Sequence, residues 1–322
     1  MSQTPHVAAA GGWVPDRRAV LRGLAVCVAE AAMSGCGTGT PSRSPSDEAD
    51  ILLVRRAIAD EERLLAFGTA VSRRFRVTRS SLASALAGQA LHASRLRASL
   101  TDLDPPVSAN HATVPVRPDD ALKQVVRLTA DVKDARLAGC QTATAGLLAE
   151  LLGSVAASHA VTVSALSPNA VGGPPPAAAP VRTVAPLQRC LAGEHAAVYG
   201  YGLLAGVLSA GVSQTPVADA ARSSYQVHRS RRDVLVELIR AAAEPPVASA
   251  AAYDLPFPVT GSQTAHRLAR LLEARCAAVY AQSVGALQRG DRRFVSAALV
   301  DCAVRGAGWG APPVPFPGLP VG

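Results

Sequence analysis

The sequence predicts an all-α protein built as two tandem four-helix bundles. Three observations carry that prediction. The chain is 49% hydrophobic but only 4% aromatic, and its apolar content is mainly Ala, Val and Leu, of which Ala and Leu are strong helix formers. Apolar residues recur with the helical period in eight segments, and no segment alternates as a strand would. In each half a long Pro-rich stretch separates the second helical segment from the third, whereas the other connections are short.

The first 36 residues read as an address. Arg17 and Arg18, followed by Ala19-Val20-Leu21-Arg22, resemble a twin-arginine export signal. A short apolar core, Leu24 to Met33, ends in Met33-Ser34-Gly35-Cys36, which resembles a lipobox with Cys36 as the acylated residue. Glu30 within the core and Met33 in place of leucine depart from these patterns. The sequence therefore places the protein on the extracytoplasmic face of the cell membrane, lipid-anchored through Cys36. Residues 37–50 are rich in Gly, Ser, Pro and Thr and read as a flexible tether. Outside the N-terminus, no apolar run is expected to reach the ~18 residues of a membrane span.

The N-terminal bundle is expected over 51–166, with helices at about 51–75, 80–100, 119–138 and 142–166. Residues 167–182, with three consecutive prolines, read as a linker. The C-terminal bundle is expected over 183–309, with helices at about 184–208, 217–243, 263–288 and 292–306, and a Pro-rich tail follows at 310–322. The long connections, 101–118 and 244–262, matter most. A helix of about 22 residues is about 33 Å long, and an extended chain covers up to ~3.3 Å per residue. Each connection can therefore run back along its bundle between helices two and three, which is the ferritin-like topology. Short echoes suggest a duplication: Glu62…Phe67-Gly68 with Glu194…Tyr199-Gly200, His92-x-x-Arg95 with His228-x-x-Arg231, and Asp131 with Glu273.

From EHAAVYGYG (194–202) to HRSRRD (228–233), the C-terminal half resembles a bacterial ferritin-like domain-of-unknown-function family carried behind twin-arginine lipoprotein signals. The resemblance spans about 183–309, and the N-terminal half follows the same architecture more faintly. It implies the bundle fold and no particular activity.

A di-iron bundle takes one Glu from each of two helices and a Glu-x-x-His pair from each of the other two. Here the C-terminal half offers only Glu194, His228, Glu273 and Asp301 as metal ligands. The N-terminal half offers Glu62, His92 and Asp131, with His159 out of phase. No resident cofactor is expected from so short a set, with iron or manganese as the alternative. The competing reading makes Glu194 and Glu273 part of a buried polar layer paired with His228 and with Arg231 or Arg232, since a buried carboxylate needs a partner. His195 faces another side of its helix, Tyr199 and Tyr201 read as rim and core aromatics, and Gly200 and Gly202 suggest close helix packing. Antiparallel first and third helices would bring Cys190 and Cys276 within bridging distance.

The net charge is +8, almost all of the basic residues being arginine. The arginines are spread along helices without stacking aromatics, which argues against nucleic-acid binding. No Gly-x-Ser-x-Gly elbow, phosphate loop or His-Glu-x-x-His occurs. The expected role is non-enzymatic, binding or structural, at the cell envelope. A redox-active metal carboxylate bundle is the alternative. The membrane, an envelope protein, or an apolar ligand in the seam between bundles are the expected partners.

Overall fold

The computed structural model describes residues 44–100, 113–167, 183–209 and 216–320. Arg17, Arg18, Cys36 and most of the 167–182 linker lie outside them. The described residues hold eight α-helices: α1 Pro45–Arg74, α2 Arg79–Arg97, α3 Pro118–Thr142, α4 Gly146–Leu166, α5 Ala185–Ser209, α6 Pro216–Ala241, α7 Ser262–Ala286 and α8 Arg292–Gly308. Short 3₁₀ turns at Arg76–Thr78 and Arg289–Asp291 precede α2 and α8. No strand occurs among the described residues.

Helix α1 starts at Pro45, inside the stretch read as tether. The local reason is a complete start signal. Ser44 is the N-cap and its Oγ accepts from Asp47 N at 3.2 Å, Pro45 opens the helix, and Asp47 and Glu48 lie in the first turn, where acidic side chains favour the helix dipole.

Within the first half, α1 packs on α2 and α3, and α3 on α4; within the second, α5 packs on α6 and α7, and α7 on α8. Helix α4 also packs on α7 and α8, so the described residues form one compact unit. The main apolar cluster draws on both halves, from Val54 and Leu152 to Leu191, Tyr280 and Leu299. Helix α4 corrects one expectation. It is long and apolar enough to cross a membrane, yet 67% of its apolar window is buried inside the protein, where it forms the centre of the core.

The connection between α6 and α7 runs along α5. Gln188 donates to Pro245 O and accepts from Val247 N, both at 2.8 Å. His195 meets Val247 O at 3.1 Å, and Tyr253 packs on Tyr199 further along. Leu255, Phe257 and Val259 then join Tyr201 and Trp309 in a second apolar cluster. This placement makes α5 and α7 antiparallel. The C-terminal tail is no loose end either. It crosses back over the first half, with Ser154 Oγ donating to Pro317 O at 2.8 Å. Gly318, at φ +81°, lies so close to α7 that a Cβ would come within 2.6 Å of Ala277 O, which only glycine tolerates.

Candidate functional site: two buried polar layers

Helices α5 and α7 carry the same spacing, a glutamate followed by a tyrosine seven residues, or about two turns, later: Glu194 and Tyr201, Glu273 and Tyr280. Two turns return a side chain to the same face. Because the helices are antiparallel, each tyrosine reaches the other helix's carboxylate. Tyr201 Oη donates to Glu273 Oε1 and Tyr280 Oη to Glu194 Oε1, both at 2.6 Å. His228 of α6 lies between the carboxylates, with Nδ1 2.7 Å from Glu194 Oε2 and Nε2 3.2 Å from Glu273 Oε1. All three charged side chains are sealed from solvent. The Tyr201 ring stacks on His228 with centroids 5.1 Å apart.

Both ring nitrogens of His228 face carboxylate oxygens, so both donate, and the ring is an imidazolium. Burial opposes that charge, but the charge and hydrogen bond of Glu194, then those of Glu273, outweigh it and lift the pKa to about 10. Burial likewise works against the Glu194 carboxylate, yet His228, Arg231 and the Tyr280 hydroxyl hold its pKa below the ordinary value. Burial and the neighbouring carboxylates push Tyr201 and Tyr280 well above the usual phenol range, so both stay protonated donors. Arg231, one turn beyond His228, bonds Asp301, donates to Cys302 Sγ at 3.2 Å and lies 3.9 Å from Glu194 Oε1. Cations thus stand against every carboxylate of the layer, as buried charge requires.

The first half carries a second layer of different composition. Glu61 of α1 is fully buried, with Oε1 2.8 Å from His159 Nε2 of α4 and Oε2 3.2 Å from His92 Nδ1 of α2. His92 Nε2 donates to Pro315 O at 2.7 Å in the C-terminal tail, and Phe316 packs edge-on against its ring. Arg136 of α3 holds Asp60 at 2.5 Å, with its Nε 3.7 Å from Glu61 Oε1. Burial tends to raise the Glu61 pKa, but His159 and His92 more than offset it and hold it at about 2. Burial in turn lowers the His159 pKa, against the opposing pull of the Glu61 carboxylate.

Of the four metal ligands expected in the second half, Glu194, His228 and Glu273 come together and Asp301 does not. Arg231 and Arg305 hold Asp301 instead, the latter at 2.6 Å. Arg231 fills the pairing role, while Arg232 pairs with Asp233 at the surface. In the first half the buried carboxylate is Glu61. Glu62 bonds Arg97 at the edge, Asp131 is exposed, and His159 is a full member of the layer. Gly200 lies where a Cβ would meet Leu272 Cδ1 at 2.7 Å, as close packing requires, whereas Gly202 meets Tyr225 only at ordinary contact, 3.6 Å.

The bridge expected between Cys190 and Cys276 is absent. Cys140, Cys190, Cys276 and Cys302 are all free and buried. The reason is helix register. Glu194 lies opposite Tyr280, not opposite Glu273, so the cysteines are offset by about two turns. Cys190 Sγ donates to Ser283 Oγ at 3.2 Å, while Cys276 Sγ points to Gly193 O at 4.0 Å and neighbours Cys302. Burial pushes the Cys140 and Cys190 thiols up to about 12 and raises Cys302 as well, so none of these three is a reactive thiolate.

Surface clefts on α1 are lined by Glu48, Ile51, Leu52 and Arg55 and by Ala49, Leu53, Arg56 and Thr142, all from the first half. The seam between the halves is filled with side chains of the main cluster.

Residues 186–321 match a family described as a domain of unknown function (DUF4439). None of the curated proteins matches the chain. Among solved structures, the chain is similar to a conserved hypothetical protein, rv2844, from Mycobacterium tuberculosis. The two are 35% identical over 40% of this chain and 92% of that one, with a TM-score of 0.35. The matched segment, 186–321, holds the Glu194, His228 and Glu273 layer.

Proposed function

We propose that this protein is a lipid-anchored helical scaffold on the extracytoplasmic face of the cell membrane, made of two ferritin-like bundles, and that it binds an envelope partner without catalysing a reaction. One observation carries the non-catalytic part. The second-half carboxylates, which a metal would need, are already engaged by His228, Tyr201 and Tyr280 at three of their four oxygens, Glu273 Oε2 having no partner among the described residues. The imidazolium of His228 supplies the cation that a ferritin-like site would take from iron or manganese. The long α6–α7 connection and the antiparallel α5 and α7 support the ferritin-like reading. The anchor rests on Arg17, Arg18 and Cys36 in the sequence.

Two measurements test this. Metal content of the purified protein after Fe(II) or Mn(II) loading should be the same in wild type, Glu194→Gln and Glu273→Gln. Uptake that falls in either variant would overturn the scaffold reading in favour of a redox-active metal carboxylate bundle. Cells fed a labelled fatty acid should label the membrane-bound protein, and Cys36→Ala should abolish the label. An unlabelled wild-type protein recovered from the cytosol would sink the anchoring.

A further inference from the structure

The first-half layer differs from the second in its donor set, in which one carboxylate, Glu61, faces two imidazoles, His92 and His159, from two other helices. Pro315 O can only accept, so His92 Nε2 carries a proton and donates it. Its other nitrogen, Nδ1, faces Glu61 Oε2 at 3.2 Å. In the second half both flanks of His228 are carboxylates and the cation is a proton. Here one flank of His92 is a carbonyl, and a second imidazole, His159, reaches the same carboxylate from the other side.

We propose that Glu61, His92 and His159 bind one divalent transition-metal ion, of the class that prefers imidazole and carboxylate ligands. One carboxylate and two imidazoles on three different helices are a set that zinc and ferrous iron accept. The ligand atoms all lie within 4.8 Å of one another. Glu61 turns one oxygen to each imidazole, Oε1 2.8 Å from His159 Nε2 and Oε2 3.2 Å from His92 Nδ1, so it would hold the ion through both. A second observation is independent of the cluster. The His92 Nε2–H bond to Pro315 O is the outer hydrogen bond that fixes a metal-bound imidazole and leaves its other nitrogen free to ligate. A third lies one turn before His92 on the same face of α2, where Gln89 is 3% exposed and its Oε1 has no hydrogen-bond partner among the described residues.

Arg136 does not forbid the ion. Its closest contact is Asp60, one carboxylate for one guanidinium, which leaves the Glu61 charge to the imidazoles. The site would join α1, α2 and α4 and, through Pro315 and Phe316, hold the C-terminal strap down. It lies outside the matched domain core and uses neither Glu194 nor Glu273, so it goes beyond the scaffold reading.

The probes are Co(II) and Zn(II), added to metal-free full-length protein near neutral pH. We expect about one equivalent to bind. Co(II) should give visible d–d absorption, and Zn(II) should raise the melting temperature. Glu61→Gln, His92→Asn and His159→Asn should each lose binding while keeping helical circular dichroism, and Glu194→Gln should keep it. Should the variants fail to fold, imidazole NMR of the wild type decides, since Zn(II) should move His92 Nδ1 and His159 Nε2 and leave His228 in place. No uptake by wild type would overturn the proposal. So would uptake that survives all three substitutions. Uptake lost in Glu194→Gln but kept in Glu61→Gln would overturn both this proposal and the scaffold reading, whereas uptake lost only in the Glu61, His92 and His159 variants leaves that reading standing.

Discussion

At the scale of single residues, the second-half layer is a buried set of donors and acceptors that pair with one another, so its members should be costly to remove one at a time. Tyr280→Phe takes the hydroxyl from Glu194, and Tyr201→Phe takes it from Glu273. A hydrogen bond to a buried charge contributes about 1.5–3 kcal/mol, and each variant should lose about that much in urea unfolding. Glu273 should feel its loss more, because its Oε2 already has no partner among the described residues. The histidine makes stability depend on pH with a definite sign. His228 titrates near 6.5 when unfolded and at about 10 when folded. Its contribution is complete below about pH 6.5 and is lost as pH rises through 10, by up to about 1.4 kcal/mol per pH unit. Glu61 acts at the other end. Its contribution is complete above about pH 4.5 and is lost as pH falls toward 2. Urea midpoints measured from pH 4 to 10 should therefore plateau between about 4.5 and 6.5 and decline above. In His228→Gln the alkaline decline should flatten, at the expense of a lower plateau.

At the scale of elements, a very close helix approach joins the halves. Gly146, at the start of α4, lies against Gly285 of α7, where a Cβ would stand 2.1 Å from a backbone carbonyl oxygen. Nothing flexible can yield there. Gly146→Ala gains about 1 kcal/mol of helix propensity, but must push two helices apart, and overpacking typically costs about 1–3 kcal/mol. We expect a net loss of stability, read as a lower denaturant midpoint. The same substitution at Gly200 meets only the end of the Leu272 side chain and should cost less.

At the scale of the whole molecule, the shared core predicts cooperative unfolding. Arg292, 2% exposed, donates to Cys140 O and Ala143 O at the end of α3 and to Val284 O and Leu287 O at the end of α7. A buried guanidinium thus satisfies the open carbonyls of two helix termini, one from each half. Arg292→Met leaves those carbonyls without a donor and should cost about 3 kcal/mol or more, by the rule that an unpaired buried polar group costs about 1–3 kcal/mol. Calorimetry of the wild type should show one transition, with circular dichroism and tryptophan fluorescence coinciding. Two separated transitions would mean that the seam contributes little.

Much of this was legible in the chain itself. Eight periodic segments and Pro-rich connections marked the helices to within a few residues, except that α1 begins at Pro45 and not at about 51, because amphipathic period is a local property. Glu194, His228 and Glu273 stood out as polar residues on apolar helices, and they do meet. Distances across helices were not legible, because they depend on register. The run Asp60-Glu61-Glu62 offers three carboxylates about 100° apart around α1. Only packing decides that Asp60 meets Arg136, Glu61 faces inward and Glu62 bonds Arg97. His159 looked out of phase for the same reason. The equal Glu-to-Tyr spacing in α5 and α7 was a readable signal of the crossed pairs, but its meaning required knowing that the helices run antiparallel with a two-turn offset. That offset also parts Cys190 from Cys276. The fold of the C-terminal strap over His92 and Ser154 lay furthest from reach, since a Pro-rich segment has no period and its place is set by the carbonyls and the Phe316 ring it offers to distant side chains. The sequence by itself determined the helices and the polar residues they bury; tertiary structure alone decided which of those residues touch, because a one-residue change in register turns a helical side chain by about 100° and carries it to another neighbour.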